Sequence, residues 1–464
     1  MSKTYIEPQK ELSVSYTADV IVVGGGTAGA VAAIAAAEEG KSVIIVEQFG
    51  SLGGSSTNGL VCPNMGVGIP GNPACSSIAR RIFAKLMEYG ATKSNGTPNP
   101  AAFDPRIMSI VLEEMCEEAG VKILYHTYFC DAVKDKKGNL AGVIVENKTG
   151  RTVVEGKIFI DCSGDADLCV RAGAEYTKGN PETGKNQPIS LRYIIAGIDC
   201  NEFSKYLQEQ IDRTGVNCGI VPKDCYAAVT GLIEYTMTTV FKEAIAAGDL
   251  IENDMLYWQM FSLPGRADSL AFNNPEFFDY VDATNPEHLN FTQLKGKQAI
   301  FRQLKFYKKY FRGYENAYIA EFASMVGIRE SRNVVCEYVL TGEDCLTRKK
   351  FDDKFVQSNY PVDIHGRKLH FDHEIKPVDD KPYYEIPYRS LVVKGFDNLL
   401  VAGRCLGAEF LAQSSMRIMP TMRASGEAAG IAAAMAINKN IALREVDGVK
   451  VRERMIELGA DYVV

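Results

Sequence analysis

The start of the chain alternates between continuous apolar runs and one glycine-rich turn. Residues 18–23 are apolar and mostly β-branched, which is typical of a strand buried on both faces. An alanine-rich segment at 30–39 stops at Gly40 and predicts a helix, and the apolar run at 42–46 predicts a second strand. This order of strand, glycine turn, helix and strand predicts a parallel βαβ unit.

A second helix and strand follow after a long irregular stretch. Asp104 is an N-cap residue type, Pro105 suits the first helical position, and Gly120 can end the helix. The residues after it, 121–127, predict a strand.

The pattern then changes from helical to alternating. Runs at 141–147 and 151–154, bounded by glycine turns, predict a β-meander that leads into a strand at 157–160. Near the end of the chain, 398–401 predicts a final strand and 424–437 a helix of small residues.

The length and the middle of the chain predict a second unit. A chain of 464 residues exceeds one compact core. Residues 168–384 are richer in aromatic and charged side chains, and we expect them to form a mixed α+β substrate or cap domain. The domain that they interrupt would consist of residues 16–167 and 385–464. A basic stretch within the insert is either a solvated helix face or an anion-binding patch: Lys305, Lys308, Lys309 and Arg312.

Composition restricts the classes of function. The net charge of −7 and the pI near 5.5 argue against nucleic acid as a partner. Neither a membrane-spanning run nor a signal peptide is evident, so we expect a cytoplasmic protein without a membrane partner. The twelve cysteines form no CxxC pair and are expected to be reduced core residues, and no metal site is expected. His365, His370 and His373 are too loosely spaced to change that expectation.

The glycine turn has the spacing of a dinucleotide-binding motif. Gly24 permits the tight turn, Gly26 lets a pyrophosphate approach the backbone, and Gly29 lets helix and strand pack closely. The helix start at Thr27 and Ala28 offers free amide groups to phosphates. Glu47, at the end of the second strand, can accept hydrogen bonds from ribose hydroxyls. The similar spacing at 66–71 follows no strand and contains Pro70, so we interpret it as a loop.

Three segments show a resemblance to FAD-dependent oxidoreductases of the glutathione-reductase-like superfamily. They are the glycine-pair loop at 48–59, the strand-to-glycine turn at 161–165 and the strand with its turn at 398–404. The resemblance implies a Rossmann-like α/β domain with a β-meander and non-covalently bound FAD. It further implies cofactor contacts from a set of loop residues: Gly53, Gly54, Ser55, Asp161, Gly164, Gly403 and Arg404. The superfamily has an acid where Arg404 stands, so the ribityl contact of that acid is not carried over.

Further segments resemble a narrower bacterial family of FAD-dependent oxidoreductases, some of which are fused to heterodisulfide reductase-type flavin subunits. These segments are 327–332, 363–365, 384–391, 402–420 and 426–430. The resemblance implies that the small-residue helix, including Gly426 and Ala429, points its N-terminus at the flavin.

Four side chains in or beside these segments are candidates for catalysis. Arg329 and Arg332 could clamp a substrate carboxylate or stiffen a domain interface. His365 could be a general acid or base, and Arg417 could anchor the substrate. Cys62 could lie over the flavin ring, although a buried thiol is the simpler interpretation.

We therefore predict a flavin-dependent oxidoreductase that transfers two electrons to or from a small organic substrate at N5 of FAD. Alternatives are a flavin electron-transfer subunit of a larger redox complex and a protein that uses FAD without redox chemistry. The electron donor or acceptor is unassigned, and a homo-oligomer is possible.

Overall fold

The computed structural model describes residues 3–216, 236–365 and 382–463. Its strands are β1 Val14–Val23, β2 Val43–Val46, β3 Lys122–Leu124, β4 Tyr128–Lys134, β5 Leu140–Asn147, β6 Gly150–Asp161, β7 Tyr176–Lys178, β8 Ile189–Ser190, β9 Tyr193–Ala196, β10 Met260–Leu263, β11 Arg266–Phe272, β12 Glu276–Phe277, β13 Tyr318–Phe322, β14 Arg332–Val334, β15 Lys354–Ser358, β16 Tyr384–Pro387 and β17 Leu399–Val401. Its helices are α1 Thr27–Glu38, α2 Ser77–Glu88, α3 Pro105–Glu118, α4 Asp167–Arg171, α5 Cys200–Thr214, α6 Thr238–Ala246, α7 Glu252–Leu256, α8 Pro286–Tyr310, α9 Gly342–Leu346, α10 Phe410–Met416, α11 Met419–Lys439 and α12 Gly448–Glu457.

The main sheet has seven strands in the order β3-β2-β1-β6-β5-β4, with β17 also paired to β6. The pairs β1–β2, β2–β3, β1–β6 and β6–β17 are parallel, whereas β4, β5 and β6 form an antiparallel meander. This confirms the predicted α/β fold with its meander. Asp104 caps α3 by accepting from the amide groups of Arg106 and Ile107, as its position predicts.

The carboxyl ends of three neighbouring strands meet at one edge of this sheet. Val23 pairs with Asp161, and Asp161 pairs with Val401, so the three strands end in register. The loops that follow them, at 24–26, 162–164 and 402–404, are therefore neighbours. Ligands of open α/β sheets bind at such an edge.

The last long helix, α11, packs along α1. A Cβ on Gly426 would lie 2.2 Å from the Ala28 carbonyl oxygen, and one on Gly430 would lie 2.3 Å from that of Ala32. The helix begins at Met419, several residues before the predicted start at 424, because Pro420 occupies its first turn instead of preceding it. The small residues thus serve the contact between the helices.

The buried apolar side chains form two main clusters. The first contains residues from Ala18 to Ala174 and from Val334 to Ala460, while the second is built mostly from residues between Ile189 and Val326. The end predicted for the insert, residue 384, differs from this division, because residues between Val334 and Val362 pack in the first cluster. The two-domain organisation itself stays a prediction.

The second cluster surrounds a four-stranded sheet, in the order β10-β11-β9-β13, and the 25-residue helix α8. The predicted basic stretch lies at the end of this helix. Lys309 pairs with Asp249 and Arg312 with Glu209, while Lys308 donates to the Ala317 carbonyl and Lys305 lies over the Phe301 ring. Because these side chains have local partners, the structure favours a solvated helix face over an anion-binding patch.

Candidate functional site

A cavity opens at the carboxyl edge of the main sheet and extends to the sheet of the second cluster. Its first end is lined by loops of the main sheet, including Gly26, Gly54, Gly164 and Gly403. Its other end is lined by charged and polar residues that come mainly from the second half of the chain. The predicted residues that line the cavity are Gly26, Thr27, Ala28, Gly54, Ser55, Gly164, Arg329, His365, Gly403, Arg404 and Arg417.

The three glycines of the first turn have different surroundings. Gly24 has φ +94°, and a Cβ there would lie 2.5 Å from the Cys162 carbonyl oxygen. A Cβ on Gly29 would lie 1.9 Å from the Gly24 carbonyl oxygen. At Gly26, in contrast, the nearest atom is 3.9 Å away. Gly24 and Gly29 thus allow close packing, whereas Gly26 borders open space.

The glycine-pair loop lies directly on this turn. The Gly53 amide donates to the Gly25 carbonyl at 2.8 Å, and the Thr27 hydroxyl donates to the Gly53 carbonyl at 3.0 Å. A Cβ on Gly54 would lie 2.9 Å from the Gly26 Cα atom. Glycine at 54 therefore lets the two loops approach, while Gly53 has φ +99° and is the turn itself.

Glu47 is 5 % exposed and lies below the turn. Its carboxylate accepts from the Gly25 amide at 2.7 Å and from the Phe49 amide at 2.8 Å. Burial raises the pKa of this carboxyl, and the hydrogen bonds from Phe49 and Gly25 oppose that shift. The acid fixes the turn, and its predicted ribose contact stays a prediction.

The loop after β6 is shaped by Asp161, which has no exposed surface. Its carboxylate accepts from the amide and hydroxyl of Ser163 and from the Cys169 amide. The oxygens of Asp161 thus bind the chain, while Ser163 and Gly164 line the cavity, and the predicted contact of Asp161 with the cofactor stays a prediction.

Arg404 lines the cavity and pairs with Asp165 across 2.7 Å. Burial opposes its charge, but Asp165 outweighs burial and raises the pKa of Arg404. Where the superfamily that the sequence resembles has an acid, this chain thus has Arg404, and the nearby carboxylate is that of Asp165.

The far end of the cavity holds a compact charged cluster. Arg329 is 4 % exposed and binds Glu276 and the Pro188 carbonyl. His365 places Nδ1 at 2.9 Å from Glu276 Oε1 and Nε2 at 3.3 Å from Asp363 Oδ1. Arg417 donates to the Asp363 carboxylate at 3.1 Å.

Asp363 is held ionised by its surroundings. Burial alone would raise the pKa of Asp363, but His365, Arg417 and Arg329 together hold it well below its usual range. The cluster therefore presents a histidine between two carboxylates, which is an arrangement that can hold or pass a proton.

Three further candidate site residues lie outside the cavity lining, and their predicted roles stay predictions. Arg332 does not line the cavity but pairs with Asp167 at 3.1 Å and lies 5.8 Å from the Tyr176 ring, so it connects β14 to neighbouring elements. Gly426 and Ala429 lie outside the cavity lining, because their part of α11 is buried in the core and Gly426 packs on α1.

Part of the cavity wall comes from segments that sequence patterns did not single out. Arg192 precedes β9, while Tyr257, Gln259 and Phe261 lie in and before β10. Asn273 donates to the Tyr257 hydroxyl and to Gln259 at 2.6 and 2.7 Å. These residues carry no motif, and no local pattern in the sequence singles them out.

Cys62 is fully buried in the second cluster, and its thiol lies 3.3 Å from the Leu60 carbonyl. Burial raises the pKa of Cys62 to about 12, so the thiol is unreactive. His370 and His373 lie outside the described residues. Among the described residues, no cluster of three or more potential metal ligands is found. No helix of the described ranges is both long and apolar enough to cross a bilayer.

Comparison with known families gives one match over most of the chain. Residues 19–455 match the family described as FAD dependent oxidoreductase. Among curated proteins, the thiamine thiazole synthase of Methanococcus aeolicus is 27 % identical over 249 residues, which cover 51 % of this chain and 85 % of that protein.

The solved structures that match this chain share little sequence with it. A geranylgeranyl bacteriochlorophyll reductase-like protein from Thermoplasma acidophilum is 12 % identical, with a TM-score of 0.47, over 96 % of this chain and 84 % of that one. The p-nitrophenol 4-monooxygenase PnpA from Pseudomonas putida is 10 % identical, with a TM-score of 0.48, over 96 % and 87 %.

Proposed function

The chain belongs to the FAD dependent oxidoreductase family, and we propose that it uses His365 and its charged neighbours to transfer two electrons between FAD and a small organic substrate. The cofactor is FAD, and the protein is an enzyme. The observation that supports the assignment of roles is that one cavity joins the glycine loops to the cluster around His365.

The residues at the first end of the cavity fit FAD. Among the described residues, no side chain caps the start of α1, so its N-terminal amide groups can receive an anion, and Gly26 borders open space beside them. A pyrophosphate would be held by Gly26, Thr27 and Ala28, with the glycine-pair loop alongside. Gly164 and Gly403 would border the rest of the cofactor.

When bound, FAD supplies hydride acceptance or donation at its flavin ring. Arg329 and Arg417 hold Glu276 and Asp363 beside His365, and these carboxylates fix the imidazole in place. We assign to His365 the proton that the substrate gains or loses. Tyr257 and Phe261, which line the cavity, exclude water from that end.

The finer classification is also a proposal. The segments at 48–59 and 398–404 favour the glutathione-reductase-like superfamily, and those at 327–332 and 363–365 favour relatives of heterodisulfide reductase flavin subunits. The charged cluster favours an enzyme with its own substrate over a pure electron carrier, because electron transfer alone needs no acid–base residue. Its electron partner is a separate molecule still to be identified.

The test is an anaerobic substrate screen on the purified holoprotein. We expect bleaching of the flavin absorbance by a substrate donor, or reoxidation of photoreduced flavin by a substrate acceptor, and loss of this reaction in His365→Ala with unchanged flavin content. A variant that reacts at the wild-type rate would contradict the role assigned to His365.

A further inference from the structure

Arg192 is a buried arginine in the cavity wall. It is 8 % exposed, lies directly before β9 and lines the same cavity as the glycine loops. A Cβ on Gly327 would lie 2.5 Å from its Nη1 atom, so the absence of a side chain there makes room for the guanidinium. The chain thus keeps space for a charged group at a position where an apolar one would be easier to bury.

A network of neutral side chains fixes this guanidinium. Its Nε donates to the Asn273 side-chain oxygen. The Asn273 amide nitrogen in turn donates to the Tyr257 hydroxyl and to Gln259, which fixes the asparagine. Within the described residues, Nη1 and Nη2 donate no hydrogen bond, so the forked end of the side chain is available to a ligand.

Arg192 also differs in charge balance from the other arginines of the cavity. Arg329 pairs with Glu276, Arg404 with Asp165 and Arg417 with Asp363. Arg192 forms no ion pair with the residues that the structure describes. Burial, together with Arg329, lowers the pKa of Arg192, which shows how unfavourable its charge is at this place. The cavity lining therefore contains four arginines, and three of them pair with a carboxylate. Among the described residues, the positive charge of Arg192 is the one that no ion pair balances.

We propose that Arg192 binds a carboxylate group of the substrate, which makes the substrate class of this enzyme small organic carboxylates. This inference rests on the proposed function of the cavity. A guanidinium fork matches the two oxygens of a carboxylate. One carboxylate balances one arginine, whereas a phosphate dianion would bring a second negative charge, for which the described residues of the cavity wall offer no unpaired cation.

The experiment measures binding without turnover. Holoprotein in chloride-free buffer is titrated by calorimetry with propanoate, with its neutral analogue propanamide and with inorganic phosphate. The same titrations are made on Arg192→Gln, on Arg192→Lys and on the control Arg312→Gln, whose arginine follows α8 and is 47 % exposed. Flavin content is measured separately for each protein.

We expect saturable binding of propanoate to the wild type and none of propanamide. Arg192→Gln should bind propanoate at least about tenfold more weakly, the effect of one charged hydrogen-bonded contact. Arg192→Lys should keep part of the affinity, and Arg312→Gln all of it. Phosphate should bind more weakly than propanoate.

Several results would overturn the proposal. They are equal binding of propanoate and propanamide, tighter binding of phosphate, or unchanged propanoate binding in Arg192→Gln. Loss of FAD from Arg192→Gln and Arg192→Lys, with propanoate binding unaffected, would assign Arg192 to the cofactor instead. If no flavin reduction or reoxidation is ever found but propanoate still binds through Arg192, the proposed redox role fails and the anion site stands.

Discussion

At the scale of single residues, the glycines of the first turn have two different roles, close packing and cofactor binding. A side chain at 29 would collide with the Gly24 carbonyl at 1.9 Å, whereas one at 26 would enter the cavity. Gly26 has φ −70°, which any residue can adopt. The two positions are therefore expected to fail in different ways when they are substituted.

We expect Gly26→Val to fold and to lose FAD, since the valine would fill the space for the pyrophosphate. Far-UV circular dichroism and thermal melting of the apoprotein should match the wild type, while flavin content falls to near zero. Gly29→Ala is the matched control and should lose stability, because its methyl group has no room. Wild-type flavin content in Gly26→Val would move the diphosphate site elsewhere.

The second prediction at this scale concerns His365. We expect His365→Ala to lower kcat about 100-fold or more, the usual contribution of a positioned acid or base. His288→Ala is the matched control, because His288 lies on α8 outside the cavity lining. Steady-state kinetics with the substrate from the anaerobic screen would check both, and equal kcat values would make His365 structural.

At the scale of elements, the loop that carries Asp363 and His365 is held by charge. The pKa of Asp363 is lower in the folded protein than its ordinary value of 3.8. Its ionised form therefore stabilises the fold above about pH 4, and this contribution is lost as the pH falls through the folded-state pKa.

We accordingly expect Asp363→Asn to lower the free energy of unfolding by about 3 kcal/mol at neutral pH, because Arg417 loses its ion-pair partner and Arg329 loses a nearby opposite charge. The difference from wild type should shrink as the pH falls towards about 3. Urea unfolding at both pH values measures it, with the exposed Asp212→Asn on α5 as a control. A pH-independent difference would contradict the electrostatic account.

The contact between α1 and α11 gives a prediction about packing. We expect Gly430→Ala to destabilise the protein by about 1–3 kcal/mol, because its Cβ would lie 2.3 Å from the Ala32 carbonyl oxygen. Lys439→Ala, at the exposed end of the same helix, should change stability little. Thermal melting would check both, and an unchanged Gly430→Ala would mean that the helices can separate without cost.

At the scale of the whole molecule, the cavity connects segments that are far apart in the chain. Its lining includes residues from the segments 26–55, 162–164, 257–273 and 403–419. We propose that the flavin domain consists of the N-terminal and C-terminal parts, with the second cluster as a cap. FAD would then stabilise several segments together.

Removal of FAD is expected to raise amide hydrogen exchange in the loops at 24–29, 53–55 and 403–407 together. The hairpin of β4 and β5, which lies outside the cavity lining, serves as the internal control and should exchange equally in both forms. Hydrogen exchange with mass spectrometry on holo- and apoprotein measures this. A change confined to one loop would contradict the shared site.

The sequence by itself determined the βαβ unit, the meander, the cap of α3 and the glycine turn of the cofactor site. These features depend on residues close together in the chain, where apolar periodicity, turn glycines and capping groups act locally. The family of the chain could be recognised from the same short motifs.

Only the tertiary structure decided which side chains share the cavity. Arg192, Asn273 and Tyr257 meet because β9, β10 and β11 pair in one sheet, and no local pattern records that pairing. Arg332 stands three residues from Arg329, yet it turns to Asp167 while Arg329 binds Glu276 in the cavity. The physical reason is that the partner of a charged side chain is set by contacts between distant elements, which packing of the whole chain determines.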